Sequence, residues 1–491
     1  MGLRIYLSML VASLLAAQPR VPRAWDEQGF VGWQLPIVGQ KFTTGHFTEE
    51  EYYGAPVENV RTYPVYAPDR EPKGYWDFLN SIGPKPLVEP GKLKTERDWI
   101  EAGRRVFEEL DFVASRRYDT ELIRKLRSRA YVAERSIEPL PDGTMPYIRW
   151  VVTQKGVAIA LRECAGCHLR WAPGPAPGGK PYHGAPENMP FPNFDFSFVD
   201  LGAGVYLPQG DDAPAIRWRS HSVPWIPNDI HARIKTMTNQ EWGAWDDASN
   251  GMGMAARWDG SIYYPTKIPD LIGIKDRKFF DHTATHRHRG IEDLMRYAAQ
   301  VMSADSPHFG PYDIVPRTGR RVPYRLSDEA LYALALYIYS LEPPPNPNRF
   351  DTAAAAGQKI FTVNCARCHT PPLYTNNKLT LARGFLPDGS SPDVMPVSVG
   401  TDPAGAMLTR KGTGYYKVPS LKGVWYRGRL LHDGSLASLE EFFNPARLRP
   451  DFEPAGWNPV GVKRRAVVGH EFGLKLSVQE RAQLIAFLKT L

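Results

Sequence analysis

Cys164-Ala165-Gly166-Cys167-His168 recurs as Cys365-Ala366-Arg367-Cys368-His369. Two thiols three positions apart can add to the two vinyl groups of one porphyrin, and the adjacent histidine then reaches the iron. A structural zinc site uses similar residues but wants further Cys or His at finger-like spacing. A redox dithiol has no need of the following histidine. The chain has four cysteines and the two motifs use all of them, so none remains for a disulfide framework. The spacing therefore points to two covalently attached c-type haems. Cys164, Cys167, Cys365 and Cys368 are the attachment points, and His168 and His369 are the proximal iron ligands.

The elements that must position these motifs show internal repetition. Val151–Glu163 reads as a short helix leading into the first motif and Asp351–Asn364 as its counterpart, with Asp351 as N-cap. At an offset of 201 residues, Gly156, Ile159 and Cys164 fall on Gly357, Ile360 and Cys365. At an offset of 150, Lys267-Ile268-Pro269-Asp270-Leu271 parallels Lys417-Val418-Pro419-Ser420-Leu421, with Arg277 on Arg427 and His282 on His432. Closing helices opening with Leu326-Ser327 and Leu476-Ser477 pair at the same offset. Matches kept in this order imply a duplicated domain, with 51 extra residues after the first motif. The first copy spans 151–341 and the second 351–491, joined by the Pro-rich linker 342–350, which cannot continue the preceding helix.

Upstream, residues 25–150 read as an irregular wrapping segment with two helices, Thr95–Leu110 and Thr120–Val132. Thr95 and Asp98 form a capping-box start to the first, and the Arg124, Lys125, Arg127, Arg129 run on the second reads as a solvated face. Residues 1–18 carry Arg4 and then an apolar run too short to span a bilayer, the pattern of a secretory signal peptide. No later stretch is apolar enough for a membrane span. Export suits haem of this type, which bacteria attach outside the cytoplasmic membrane, so the expected location is periplasmic or secreted. A net charge of +7 over 491 residues is too modest to argue for nucleic acid. Aromatics at 12% and 45 prolines suit long anchored loops around flat cofactors.

Tyr416-Lys417-Val418-Pro419-Ser420-Leu421-Lys422-Gly423-Val424, Leu431-His432-Asp433-Gly434-Ser435 and Gly469-His470-Glu471-Phe472-Gly473 carry a family likeness. On these residues and the two haem motifs, the chain from Val151 onward resembles the bacterial di-haem cytochrome c peroxidase superfamily. Spacing and C-terminal motifs are closest to its rubber-oxygenase-like branch. The resemblance implies a mainly α fold, with two cytochrome c-like haem domains whose first haem does chemistry and whose second relays electrons. It also places His432, and by repetition His282, beside a haem propionate. Typical peroxidases of the group put a methionine ligand shortly after the His-Asp-Gly element, where this chain reads Asn444-Pro445-Ala446-Arg447. The rubber oxygenases use a late histidine instead, which makes His470 the expected sixth ligand of the second iron. Met407 and Met395 are the rivals.

The first iron is read differently. His183, fifteen residues beyond His168, is a candidate general base for peroxide, set against a solvated loop histidine. Met252 or Met254 can instead close that iron. At the 150-residue offset Gly319-Arg320 falls on Gly469-His470, so a guanidinium stands where the second copy has an imidazole. Arginine has no lone pair to give, which leaves the first iron open beneath a fixed positive charge, or else Arg320 is a surface residue. His282, His286 and His288 also form a loose group with metal-ligand residue types. These readings describe an exported di-haem oxidoreductase that uses peroxide or dioxygen and a redox partner such as a small cytochrome. The alternative is an electron carrier with both irons six-coordinate.

Overall fold

Two helix pairs frame the two Cys-x-x-Cys-His motifs in the computed structural model, which describes residues 20–134, 139–140, 142–170, 182–183, 212–226, 230–250, 253–256 and 261–491. The signal-like stretch and Met252 lie outside the described residues. Among the described residues, no helix is long and apolar enough to cross a membrane.

The first pair joins Glu96–Glu109 to Asp328–Tyr339. Thr95 and Asp98 close the expected capping box, each satisfying the other's backbone N–H. Trp99, Ala102, Val106 and Phe107 recur at helical spacing and are buried. Ser327 caps the partner helix by accepting from the Ala330 N–H. The second pair joins Thr352–Asn364, capped as expected by Asp351, to Val478–Lys489, capped by Ser477 and Glu480.

Each pair closes on a glycine. A Cβ at Gly103 would overlap the Ala333 carbonyl and the Tyr337 Cβ, and one at Gly357 would overlap the Gln483 carbonyl and the Phe487 Cβ. One turn on, Phe107 meets Tyr337 at 5.5 Å between ring centroids and Phe361 meets Phe487 at 5.1 Å. The helix before the second motif therefore has its structural match in Glu96–Glu109, far upstream of the first motif.

This corrects two expectations. Val151–Glu163 is not a helix. Thr62–Tyr66 (β1), Thr144–Thr153 (β2) and Gly156–Leu161 (β3) form an antiparallel sheet in the order β1-β2-β3. The β-branched run Val151-Val152-Thr153, Val157 and Ile159 prefers a pleated surface, and Trp150 and Ile159 are buried on its inner face. Gly156, at φ 110°, makes the hairpin turn, so its alignment with the helical Gly357 is coincidental. The chain leaves the helix at Leu110 and returns at the same point. Phe112 N–H donates to the Leu161 carbonyl and Glu163 N–H to the Leu110 carbonyl, both at 2.9 Å. Residues 111–163 are thus an excursion between a helix and its Cys-x-x-Cys-His motif. In the second half Cys365 follows its helix directly.

The wrapping segment is more ordered than its composition suggests. Trp25 is fully buried, stacks on Tyr52 at 4.6 Å and donates from Nε1 to the Phe47 carbonyl at 2.8 Å. Trp25, Phe47 and Tyr52 join the core that holds the Glu96–Glu109 and Asp328–Tyr339 helices. The expected Thr120–Val132 helix breaks at Arg127 into Thr120–Leu126 and Arg129–Glu134. Arg124 and Arg129 are exposed as read, and the partly exposed Arg127 also has specific partners. It pairs with Glu71 at 2.7 Å and lies over the Trp76 ring. The architecture is helical around each motif, but five small sheets among the described residues make it less purely α than expected.

The glycine contacts generate a test. Gly357→Val is expected to destabilise the protein by about 1–3 kcal/mol through overpacking, read as a lower midpoint in chemical denaturation. An unchanged midpoint would mean that the helices do not close as described.

Candidate functional site

The Thr352–Asn364 helix ends at Cys365, whose N–H still reaches the Phe361 carbonyl. One further turn brings His369 N–H to the Cys365 carbonyl at 2.9 Å, so the two thiols and the imidazole are held by contiguous backbone. His369 is buried, and its Nδ1 lies 3.1 Å from the Pro419 carbonyl and 3.2 Å from that of Tyr374. A carbonyl can only accept, so Nδ1 carries the proton and Nε2 keeps its lone pair for a metal. Burial pulls His369 down to about 4, which keeps it neutral near pH 7.

His470 faces it. The two rings have centroids 6.2 Å apart and planes inclined by 47°. Two metal–nitrogen bonds of about 2 Å each plus two ring radii come to roughly 6 Å, so one ion fits between them. His470 Nδ1 is buried with no hydrogen-bond partner among the described residues. Burial, then His369, hold His470 near 4 as well.

The His470 backbone sits at φ 46°, a left-handed conformation that costs a non-glycine residue free energy. Gly469 at φ 80° packs against Gly400, where a Cβ would overlap backbone. Arg447, fully buried, holds the loop in place. It donates to the carbonyls of Phe442 at 2.8 Å, Val467 at 2.5 Å, Gly469 at 2.8 Å and His470 at 2.9 Å. Sequence reasoning noticed Asn444–Arg447 only for its missing methionine. A lone arginine in a loop gives no signal that it will organise a distant histidine. The methionine rivals lie elsewhere. Met395 Sδ is 3.9 Å from Cys368 Sγ, at the thiol edge, and Met407 packs beside Ala382, Ala406 and Tyr416.

At the first motif Cys164–Cys167 forms a single helical turn, and His168 N–H donates to the Cys164 carbonyl at 3.0 Å. Burial lowers His168 to about 4. The Pro269 carbonyl, the repeat partner of Pro419, acts on its ring without reaching hydrogen-bond geometry at Nδ1. No imidazole is brought opposite His168 among the described residues. The backbone of His183 pairs with Leu169, one residue from His168, in a short antiparallel ladder. The sequence admits Arg320 either as a fixed charge over the first iron or as a surface residue. Its guanidinium donates to Asp313 at 2.7 Å and to the Val315 carbonyl at 3.1 Å, so a carboxylate already neutralises it. Met254 is buried against Gly434 of the other half.

His282 and His432 sit where the two halves touch. His282 Nε2 meets the Lys267 carbonyl at 2.9 Å, and His432 Nε2 meets Tyr416 Oη at 3.1 Å. His286 is taken by Asp281 at 2.7 Å, and His288 by Tyr339 and the Arg277 carbonyl. No three-histidine metal site forms among the described residues.

Where the two halves touch lies a small cleft of about 60 Å³, lined by Pro269 and Pro419 and by Lys267, Arg277, Lys417 and Arg427. Its lining carboxylate is Asp270, which takes both Arg427 at 2.7 Å and Arg277 at 3.3 Å. Burial, followed by Arg277, depresses Lys417 to about 7. The orphaned His470 nitrogen and the paired thiols fit a haem.

No protein-family model and no curated protein matches the sequence. Among solved structures, the chain is similar to a hydrazine synthase of Kuenenia stuttgartiensis, at 16% identity and TM-score 0.30, covering 58% of this chain and 88% of that one. It is likewise similar to a MauG-like protein associated with microbial copper homeostasis, at 15% identity and TM-score 0.29, covering 58% and 90%. At these scores the likeness carries no argument.

Arg447→Ala leaves several carbonyls without a donor, each worth about 1–3 kcal/mol if it stays dry. The variant is expected to unfold at lower denaturant and to expose the 467–473 loop to protease, while Arg449→Ala does neither. Equal behaviour of the two variants would show that the loop holds itself.

Proposed function

We propose that the chain is an exported di-haem c-type oxidoreductase with one closed and one open iron. The observation that carries this reading is the asymmetry between the motifs. His369 has a facing imidazole at 6.2 Å. His168 has none among the described residues, and the position equivalent to His470 holds an arginine already bonded to Asp313. Bound haem would supply reversible one-electron chemistry and, at an open position, a place for peroxide or dioxygen.

The protein's own residues then divide the work. His369 and His470 occupy both faces of the second site and exclude other ligands, which suits an electron relay. His168 holds one face of the first site. His183, fifteen residues beyond His168 in the sequence, is the candidate to take a proton from one peroxide oxygen and pass it to the leaving one. Arg320, committed to Asp313, is assigned no catalytic part. The donor is a redox partner protein such as a small cytochrome. The reading places the protein in the periplasm or outside the cell, on the strength of the basic and then apolar N-terminal run. The link to rubber oxygenases in particular rests on the His470 motif.

Three measurements test the reading. Denatured protein should carry two haems per chain, and Cys164→Ala with Cys167→Ala should leave one. A count of one in the unaltered chain would end the two-site account. The oxidised spectrum should combine low-spin and high-spin components, and His470→Gly should abolish the low-spin one. Purely low-spin bands in the unaltered protein would make it a carrier. Peroxide turnover with a reduced cytochrome donor should fall on the order of a hundredfold in His183→Ala, the scale of general acid–base catalysis. Unchanged turnover would return His183 to the solvated loop.

A further inference from the structure

His288 is held in one protonation pattern. Its Nδ1 lies 2.8 Å from the Arg277 carbonyl, which can only accept, so Nδ1 carries the proton. Burial lowers the pKa of the ring and keeps it neutral near pH 7. Its Nε2 therefore presents a lone pair, and Tyr339 Oη, 2.6 Å away, donates to it. Burial, then Glu292 and Asp293, raise the Tyr339 pKa, so the phenol keeps its proton until it loses an electron. Tyr297 also has a partner, Asp281 at 2.6 Å, but His286 shares that carboxylate at 2.7 Å. A neutral imidazole is the stronger base of the two acceptors.

The tyrosine–histidine pair adjoins the first site. Arg277 belongs to the segment that runs on from Pro269, whose carbonyl acts on the His168 ring, and both residues line the cleft. Tyr339 packs against the core that also takes Cys164 and Ala165. The second half has no counterpart. At the 150-residue offset Ser438 stands for His288 and Lys489 for Tyr339, and there Ser438 caps a helix and Lys489 pairs with Glu440.

Peroxide needs two electrons, and a small cytochrome delivers one per encounter. We propose that Tyr339 supplies the second, as a redox-active side chain of the first site whose proton moves to His288. In the balanced step the O–O bond of hydrogen peroxide breaks and takes up two electrons, one from the first haem and one from Tyr339. Two protons from solvent complete two waters. The Tyr339 Oη proton passes to His288 Nε2 along the existing hydrogen bond, leaving a neutral tyrosyl radical beside an imidazolium. An electron arriving through the relay haem then reduces the radical, and the same proton returns. Tyr339 thus stores one oxidising equivalent between two encounters with the donor. This rests on the reading that the first motif carries an open haem that uses peroxide.

The test is rapid-freeze electron paramagnetic resonance of the full-length oxidised holoprotein, mixed with hydrogen peroxide and no donor. A radical is expected whose signal narrows when the protein is made with ring-deuterated tyrosine. Tyr339→Phe should abolish it while the haem count and the haem signals before peroxide stay as they were. His288→Gln, with Tyr339 in place, should slow radical formation about a hundredfold, the scale of losing one proton acceptor. A radical of equal yield in Tyr339→Phe, or one lost in Tyr297→Phe in its place, overturns the assignment. So does the absence of any radical when peroxide consumes the high-spin signal of the unaltered protein. A high-spin signal that peroxide leaves untouched ends the underlying open-site reading instead, and it is told apart because the first haem has then not been oxidised.

Discussion

A buried imidazole that is to bind a metal must commit one nitrogen and keep the other free. The Pro419 carbonyl, 3.1 Å from His369 Nδ1, meets that requirement, and much of the second half is arranged to keep it there. The helix before the motif delivers the thiols and His369 on continuous backbone. The Lys417–Pro419 segment comes in from a strand, with Thr375 Oγ1 donating to the Val418 carbonyl at 2.6 Å. His470 then closes the opposite face from a loop that is costly by itself. That cost is offset by Arg447, whose donors satisfy four carbonyls that would otherwise be buried without partners.

The helix pairs extend the same logic to the scaffold. Gly103 and Gly357 let their helices approach until backbone meets backbone, and a phenylalanine one turn later packs on the facing helix in both cases. Such a contact defines register more sharply than an apolar stripe, because only one position along each helix lacks a Cβ. It also tolerates the excursion of residues 111–163, since that segment leaves and rejoins at a single bonded point and need not disturb the pair.

Charge governs the space between the halves. Lys267, Arg277, Lys417 and Arg427 gather around Asp270, and burial opposes the charges of Arg277 and Lys417.

The sequence by itself determined the chemistry that depends on residue type and short spacing. It located the two Cys-x-x-Cys-His motifs, the caps at Thr95 and Asp351, the 150-residue repeat and His470 as the residue to oppose His369. The motifs and caps are properties of neighbours along the chain, where local geometry follows from residue type, whereas the repeat came from matching distant segments and His470 from the family resemblance. The tertiary structure decided the rest. It moved the helix belonging to the first motif from Val151–Glu163 to Glu96–Glu109, because β-branched residues made a hairpin there and an excursion separated the helix from its cysteines. It turned Arg447 from an unremarked loop residue into the support of His470, and tied Arg320 to Asp313. It also carried Lys267 and Lys417 across to each other's halves. These outcomes depend on which carbonyl or carboxylate lies nearest in space, and linear order does not encode that distance.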